Sequence, residues 1–153
     1  MSIAIHEDAD VRAHNVVVYG NPIEGTEADI ITGGDTYKLV LPQVVGKSPM
    51  YSALPALAVA KYLSIPLTDA CTSLHNEPKP KGRMRILQGM NGSVIIDDSY
   101  NASPKACEHG LKTLASIDTQ GRKIAVLGDM LELGVHTRDE HYKIGKVAAK
   151  SAH

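Results

Sequence analysis

Residues 94–104 read VIIDDSYNASP. Val94-Ile95-Ile96 is a short apolar run of the kind that forms a buried strand. Two carboxylates, Asp97 and Asp98, follow at once. Ser103-Pro104 is a helix start: a serine oxygen can cap an open amide, and proline, which has no amide, fits the first helical position. Strand, polar elbow and capped helix form the unit of open α/β sheets, which present side chains to ligands at the carboxyl ends of their strands. A ligand site and an ordinary strand-to-helix turn both fit this pattern. The expected class is α/β.

The rest of the chain supports that class. Ile3–Ile5, Asn15–Tyr19, Ile30–Thr32 and Tyr37–Leu41 are β-prone and separated by turn chemistry; Gly33-Gly34-Asp35 reads as a hairpin turn. Residues 49–63 are rich in Ala and Leu at helical spacing, with Pro55 either kinking the helix or marking its first turn. A second short helix is expected after Pro66, with Thr68 as its cap and Ala70, Cys71 and Leu74 on one face. Asn76–Gly82, with two prolines and a glycine, reads as an extended connector and domain boundary.

Beyond the connector, Met84–Gln88 and Ser93–Asp97 are β-prone runs joined through Asn91-Gly92, a strong hairpin signal. A two-residue turn would pair Met90 with Ser93 and set Arg85 opposite Asp98. A three-residue loop would set Met84 there instead. In either register Arg83 or Arg85 lies across from the Asp pair, within roughly 5–8 Å at the backbone. A guanidinium and a carboxylate would then share one end of the hairpin, as part of a ligand site or as a plain cross-strand ion pair. Pro104–Ile117 reads as a helix, Arg122–Asp129 as another buried strand, and Thr137 with Glu140 as the capping box of a last helix. The β-α-β order implies a parallel pair with a right-handed crossover. So thin a sheet is expected to continue in further strands.

With 153 residues the chain can bury a sizeable core. Its formal net charge of −1 argues against a nucleic-acid surface. No apolar run is long enough to cross a bilayer, the charged start is unlike a signal peptide, and the two isolated cysteines fit a reducing compartment. The expected location is cytoplasmic. Cys107 reads as a structural thiol or, in a first helical turn, one of lowered pKa. His136 and His141, five apart, are wrongly spaced to share a metal and read as surface residues. Glu132, Lys79 and Lys81 read as solvated charges.

Three blocks resemble the Mur ligase family of peptidoglycan synthesis: Asp97-Asp98-Ser99-Tyr100-Asn101-Ala102-Ser103-Pro104, the run Ala125–Gly134 (AVLGDMLELG), and Gly82-Arg83-Met84. The start, Glu7-Asp8-Ala9-Asp10-Val11-Arg12, also matches. The Ser-Tyr-Asn form of the Asp motif is similar to that of the members that add D-alanyl-D-alanine. The resemblance implies residues 1–82 as the end of the ATP-binding central domain and 83–153 as the first part of a Rossmann-like C-terminal domain. It implies an ATP-dependent amide ligase that activates a carboxylate as an acyl phosphate. Magnesium would bridge the phosphates, with UDP-N-acetylmuramoyl-tripeptide and D-alanyl-D-alanine as substrates.

Within that resemblance Asp98 matches the aspartate that holds the ribose hydroxyls, and Arg83 the linker arginine near the phosphates. Tyr100 and Asn101 belong to the same ATP-binding motif. Ser52 stands where the family has an adenine-holding asparagine, and Ser48 where it has a histidine. Serine is shorter than asparagine and lacks its paired donor and acceptor. There is no GxxxxGK[ST] loop, and the family's magnesium ligands are expected outside these residues. The chain alone is therefore expected to be an inactive fragment, the alternative being a stand-alone nucleotide- or partner-binding module or a relic without ligase activity. No catalytic or metal residue is assigned within it.

Overall fold

A computed structural model describes residues 1–5 and 8–153. The fold is α/β, and it divides into two compact units, Met1–Asp97 and Asp98–His153.

The first unit is built on a four-stranded sheet in the order β1-β2-β3-β4. Strand β1 (Ile3–Ile5) runs parallel to β2 (Val11–Tyr19); β3 (Gly25–Thr32) and β4 (Asp35–Pro42) continue the sheet antiparallel. The Gly33-Gly34 turn joins β3 to β4 with Thr32 opposite Asp35. Both glycines have φ near the left-handed region, 61° and 89°, as a two-residue hairpin with the right twist requires. Strand β2 is longer than its β-prone core because Val11, Arg12 and Ala13 pair with β1 and Arg12, Ala13 and His14 with β3; its register then shifts between His14 and Val17, a bulge that admits Asn15 at φ 50°.

Alternation sets the faces. Ala28 and Ile30 of β3 and Leu39 and Leu41 of β4 are buried against α1 (Lys47–Tyr62) and α2 (Leu67–Asn76), through Met50, Leu54, Leu57 and Cys71. The opposite face carries polar pairs, Lys38 Nζ to Glu27 at 2.8 Å and Asn15 Nδ2 to Asp29 at 2.8 Å. Pro55 lies inside α1, not in its first turn. Its side chain is exposed, so the helix tolerates the missing amide on its solvent side. Helix α2 starts one residue before the expected cap. The Pro66 carbonyl accepts from the amides of Asp69 (3.0 Å) and Ala70 (3.1 Å), which places Thr68 within the first turn.

Strands β5 (Arg85–Gln88) and β6 (Val94–Asp97) form an antiparallel hairpin with Arg85 opposite Asp97 and Gln88 opposite Val94. This is the register of the three-residue loop, not of the two-residue turn. Met90-Asn91-Gly92 make a single 3₁₀ turn closed by Gly89 N to Ser93 O at 2.8 Å. The hairpin is tied to the segment after β4 by Val45 N to Met84 O (3.0 Å) and Ile86 N to Gln43 O (2.8 Å).

The second unit holds α3 (Pro104–Ser116) and α4 (Thr137–Ser151) around Leu111, Met130 and Ile144. Helix α3 starts as expected: Ser103 Oγ accepts from the Ala106 amide at 3.3 Å, with Pro104 following. Two expectations fail here. Arg122–Asp129 is not a strand, nor does it form a parallel pair. It has no ladder, and Val126 is 93% exposed. Its start is held instead by Lys123, whose carbonyl accepts from His153 N (2.8 Å) and whose Nζ donates to Ala115 O (2.6 Å). Apolar sequence alone does not make a strand when no neighbouring strand offers it a ladder. The capping box is not formed either. Thr137 is already helical after a 3₁₀ turn at Gly134–His136; its hydroxyl donates to Gly134 O (2.8 Å), and Glu140 pairs with Lys143 (2.6 Å). Among the described residues no helix is long and apolar enough to cross a membrane.

Candidate functional site

Ser52 and Arg83 lie in the first unit, and Asp98, Tyr100 and Asn101 in the second. Ser52 is exposed on the second turn of α1, and its hydroxyl donates back to the Ser48 carbonyl at 3.4 Å. The entry to that helix is set by Gly46, whose φ of 95° a side chain would resist. It is also set by Thr26, fully buried in β3, whose Oγ1 donates to Val44 O (3.1 Å) and accepts from Gly46 N (2.9 Å). Sequence reading missed Thr26: a lone threonine in a strand carries no signal that it crosses to a loop.

Arg83 is exposed, two residues before β5. Its neighbour Arg85 is the guanidinium that stands directly across from an aspartate, Asp97. The Arg85 Nε is buried and makes no hydrogen bond, while Asp97 Oδ2 accepts from Gly82 N at 3.1 Å. The hairpin therefore does place an arginine opposite one of the paired aspartates, and that arginine is Arg85.

Asp98 is exposed at the start of the six-residue link to α3. Its carboxylate lies over the first turns of that helix. A Cβ on Gly110 would sit 3.8 Å from Oδ2, and the Asp98 charge reaches Cys107. The Cys107 thiol is pushed up from its ordinary pKa, chiefly by burial and then by Asp98. That favours the structural-thiol reading of this cysteine over the lowered-pKa one. Tyr100 is 69% exposed. Asn101 Oδ1 accepts from the adjacent Ala102 amide at 2.8 Å, a local bond within the link. Of the matching start, Glu7 lies outside the described residues, while Asp10 holds Ser2 through its amide at 2.7 Å and its hydroxyl at 3.1 Å.

Two side chains read as solvated do more than that. Lys79 Nζ donates to the carbonyls of Leu74 (2.7 Å) and His75 (3.3 Å), capping the end of α2, and burial lowers its pKa. The His141 ring lies within hydrogen-bond distance of Asp129, Met130 and Thr137. Among the described residues no three His, Cys, Asp or Glu side chains come together so as to hold a metal ion.

Residues 82–153 match the family model described as "Mur ligase, glutamate ligase domain". The chain belongs to the Mur ligase family. It is 34% identical over 104 residues to UDP-N-acetylmuramoyl-tripeptide–D-alanyl-D-alanine ligase of Bacillus subtilis, covering 68% of this chain and 23% of the relative. It is 30% identical over 145 residues to the ligase of the same name from Escherichia coli, covering 95% and 30%. Its fold superposes on MurF from Acinetobacter baumannii with a TM-score of 0.80 at 28% identity, over 95% of this chain and 31% of that one. It superposes on MurF from Thermotoga maritima, solved in complex with ADP, with a TM-score of 0.77 at 25% identity, over 94% and 32%. The chain thus spans only 23% and 30% of the length of these two curated relatives.

Proposed function

We propose that this Mur ligase chain is part of an ATP-dependent ligase that joins D-alanyl-D-alanine to UDP-N-acetylmuramoyl-tripeptide in the cytoplasm, and that alone it is inactive. The observation that carries the reading is the match, over nearly the whole chain, to proteins of that single name. In this reading residues 1–82 close the central domain and 83–153 open the C-terminal one. Asp98 accepts hydrogen bonds from the ribose hydroxyls of ATP, for which an exposed carboxylate is chemically suited. Arg83 offers its fork to a phosphate. Tyr100 and Asn101 line the same motif.

The residues fit ATP unevenly. The ribose and phosphate groups have exposed, charged counterparts in Asp98 and Arg83. The adenine end has Ser52, whose one hydroxyl is turned onto its own helix. Bound ATP would supply the phosphoryl group that activates the acceptor carboxylate. Magnesium finds no cradle of three such ligands among the described residues, so no step is assigned to it. The serines at 48 and 52 favour a second reading, a nucleotide-binding module or relic without ligase activity.

Calorimetric titration of the chain with ATP tests the assignment. Weak binding that Asp98→Ala and Arg83→Met each reduce supports it. Saturable binding tighter than about millimolar that survives Asp98→Ala removes the ribose role. Phosphate release from ATP by this chain with both substrates present would refute its inactivity.

A further inference from the structure

The His141 ring sits between groups that make incompatible demands. Nδ1 lies 2.7 Å from the Thr137 carbonyl oxygen, one turn back on α4. A carbonyl only accepts, so Nδ1 carries a hydrogen in either charge state. Nε2 lies 2.6 Å from Asp129 Oδ1 and 3.2 Å from the Met130 amide nitrogen. The amide donates and needs a lone pair on Nε2. The carboxylate accepts and needs a proton there. One nitrogen cannot serve both. The neutral ring bonds the amide and leaves the carboxylate facing a lone pair; the imidazolium bonds the carboxylate and leaves the amide without its acceptor.

The surroundings decide which partner moves. The Met130 side chain is 3% exposed and packed with Leu111 and Ile144, whereas the Asp129 side chain is 70% exposed. No strand or helix holds residues 124–133. Among the described groups on the loop, α3 and α4, Asp129 is the charge whose field reaches the ring.

We infer that His141 is a proton-linked positioning residue: taking up a proton locks Asp129 onto α4 and releases the Met130 amide, and losing it swings Asp129 into solvent while the amide becomes fixed. The loop so switched is the one that bears the AVLGDMLELG motif. Its bearing on ligation rests on the proposed function, but the switch itself is tested without nucleotide.

The test is nitrogen and proton NMR on the full chain between about pH 5 and about pH 9. The expected result is a single titration curve shared by His141 Nε2 and the Met130 amide. Exchange of that amide, corrected for base catalysis, slows roughly three- to tenfold in the neutral form, the size of one net hydrogen bond. Asp129→Asn lowers the ring's midpoint. His141→Gln abolishes the pH response of the Met130 amide; if that variant does not fold, the wild-type curves and Asp129→Asn decide. A Met130 amide that ignores the ring's titration, a ring without hydrogen on Nδ1, or a midpoint unmoved by Asp129→Asn would overturn the inference.

Discussion

Replacing Thr26 by valine keeps the shape of the side chain and deletes one hydroxyl. That hydroxyl is the acceptor for the Gly46 amide and the donor to the Val44 carbonyl, and Thr26 and both partner residues are buried. Valine leaves two backbone groups unpaired away from water, each costing about 1–3 kcal/mol, so that the pair loses about 2–4 kcal/mol after partial relaxation. Amide hydrogen exchange of the β3 and β4 amides reads this directly, as a speeding of roughly thirty- to eight-hundred-fold, since each 1.4 kcal/mol is about tenfold. Thr26→Ser is the control. It keeps both hydrogen bonds and loses one methyl, a deficit of about 1 kcal/mol. If valine exchanges within about threefold of wild type, or serine exchanges faster than valine, the hydroxyl is not what fixes the entry to α1 and the argument fails.

Ser103→Ala removes the cap of α3 and is expected to cost about 1 kcal/mol, seen as a lower melting temperature of the second unit; Ser103→Asp should recover most of it. Lys79→Met opens the Leu74 and His75 carbonyls to water and should cost about 0.5–1.5 kcal/mol, with faster exchange confined to the C-terminal turn of α2. The Thr137 carbonyl, and then Asp129, raise the pKa of His141 above its ordinary value. The folded state therefore binds this proton more tightly than the unfolded chain does. The stability so gained is fully present below the ordinary histidine value and is lost as pH rises through the raised folded value. Denaturation midpoints measured across that window should fall with rising pH in wild type and flatten in His141→Gln.

Much of the fold was legible along the chain because the signals are local. Gly33-Gly34 can adopt the backbone a tight hairpin needs, and Ser103-Pro104 caps its helix with its own atoms. The alternation in β3 and β4 names its own buried face. The hairpin at Asn91-Gly92 was legible as a hairpin, but its register was not. Two loops one residue apart satisfy the same sequence, and pairing to the Gln43–Val45 segment belongs to the structure that selects between them. The candidate nucleotide groups Arg83, Asp98, Tyr100 and Asn101 came from a motif, whereas Thr26, Lys79 and His141 left no trace in one.

The sequence by itself determined where α3 begins, where the chain turns at Gly33-Gly34 and which strand faces are apolar, since these depend on atoms within a few residues of one another. Only the tertiary structure decided that Arg122–Asp129 joins no strand ladder, that Arg85 pairs in register with Asp97, and that one imidazole joins α4 to a loop 12 residues away. Strand ladders, cross-strand partners and shared protons are made between groups distant along the chain, so the identity of either group alone does not specify them.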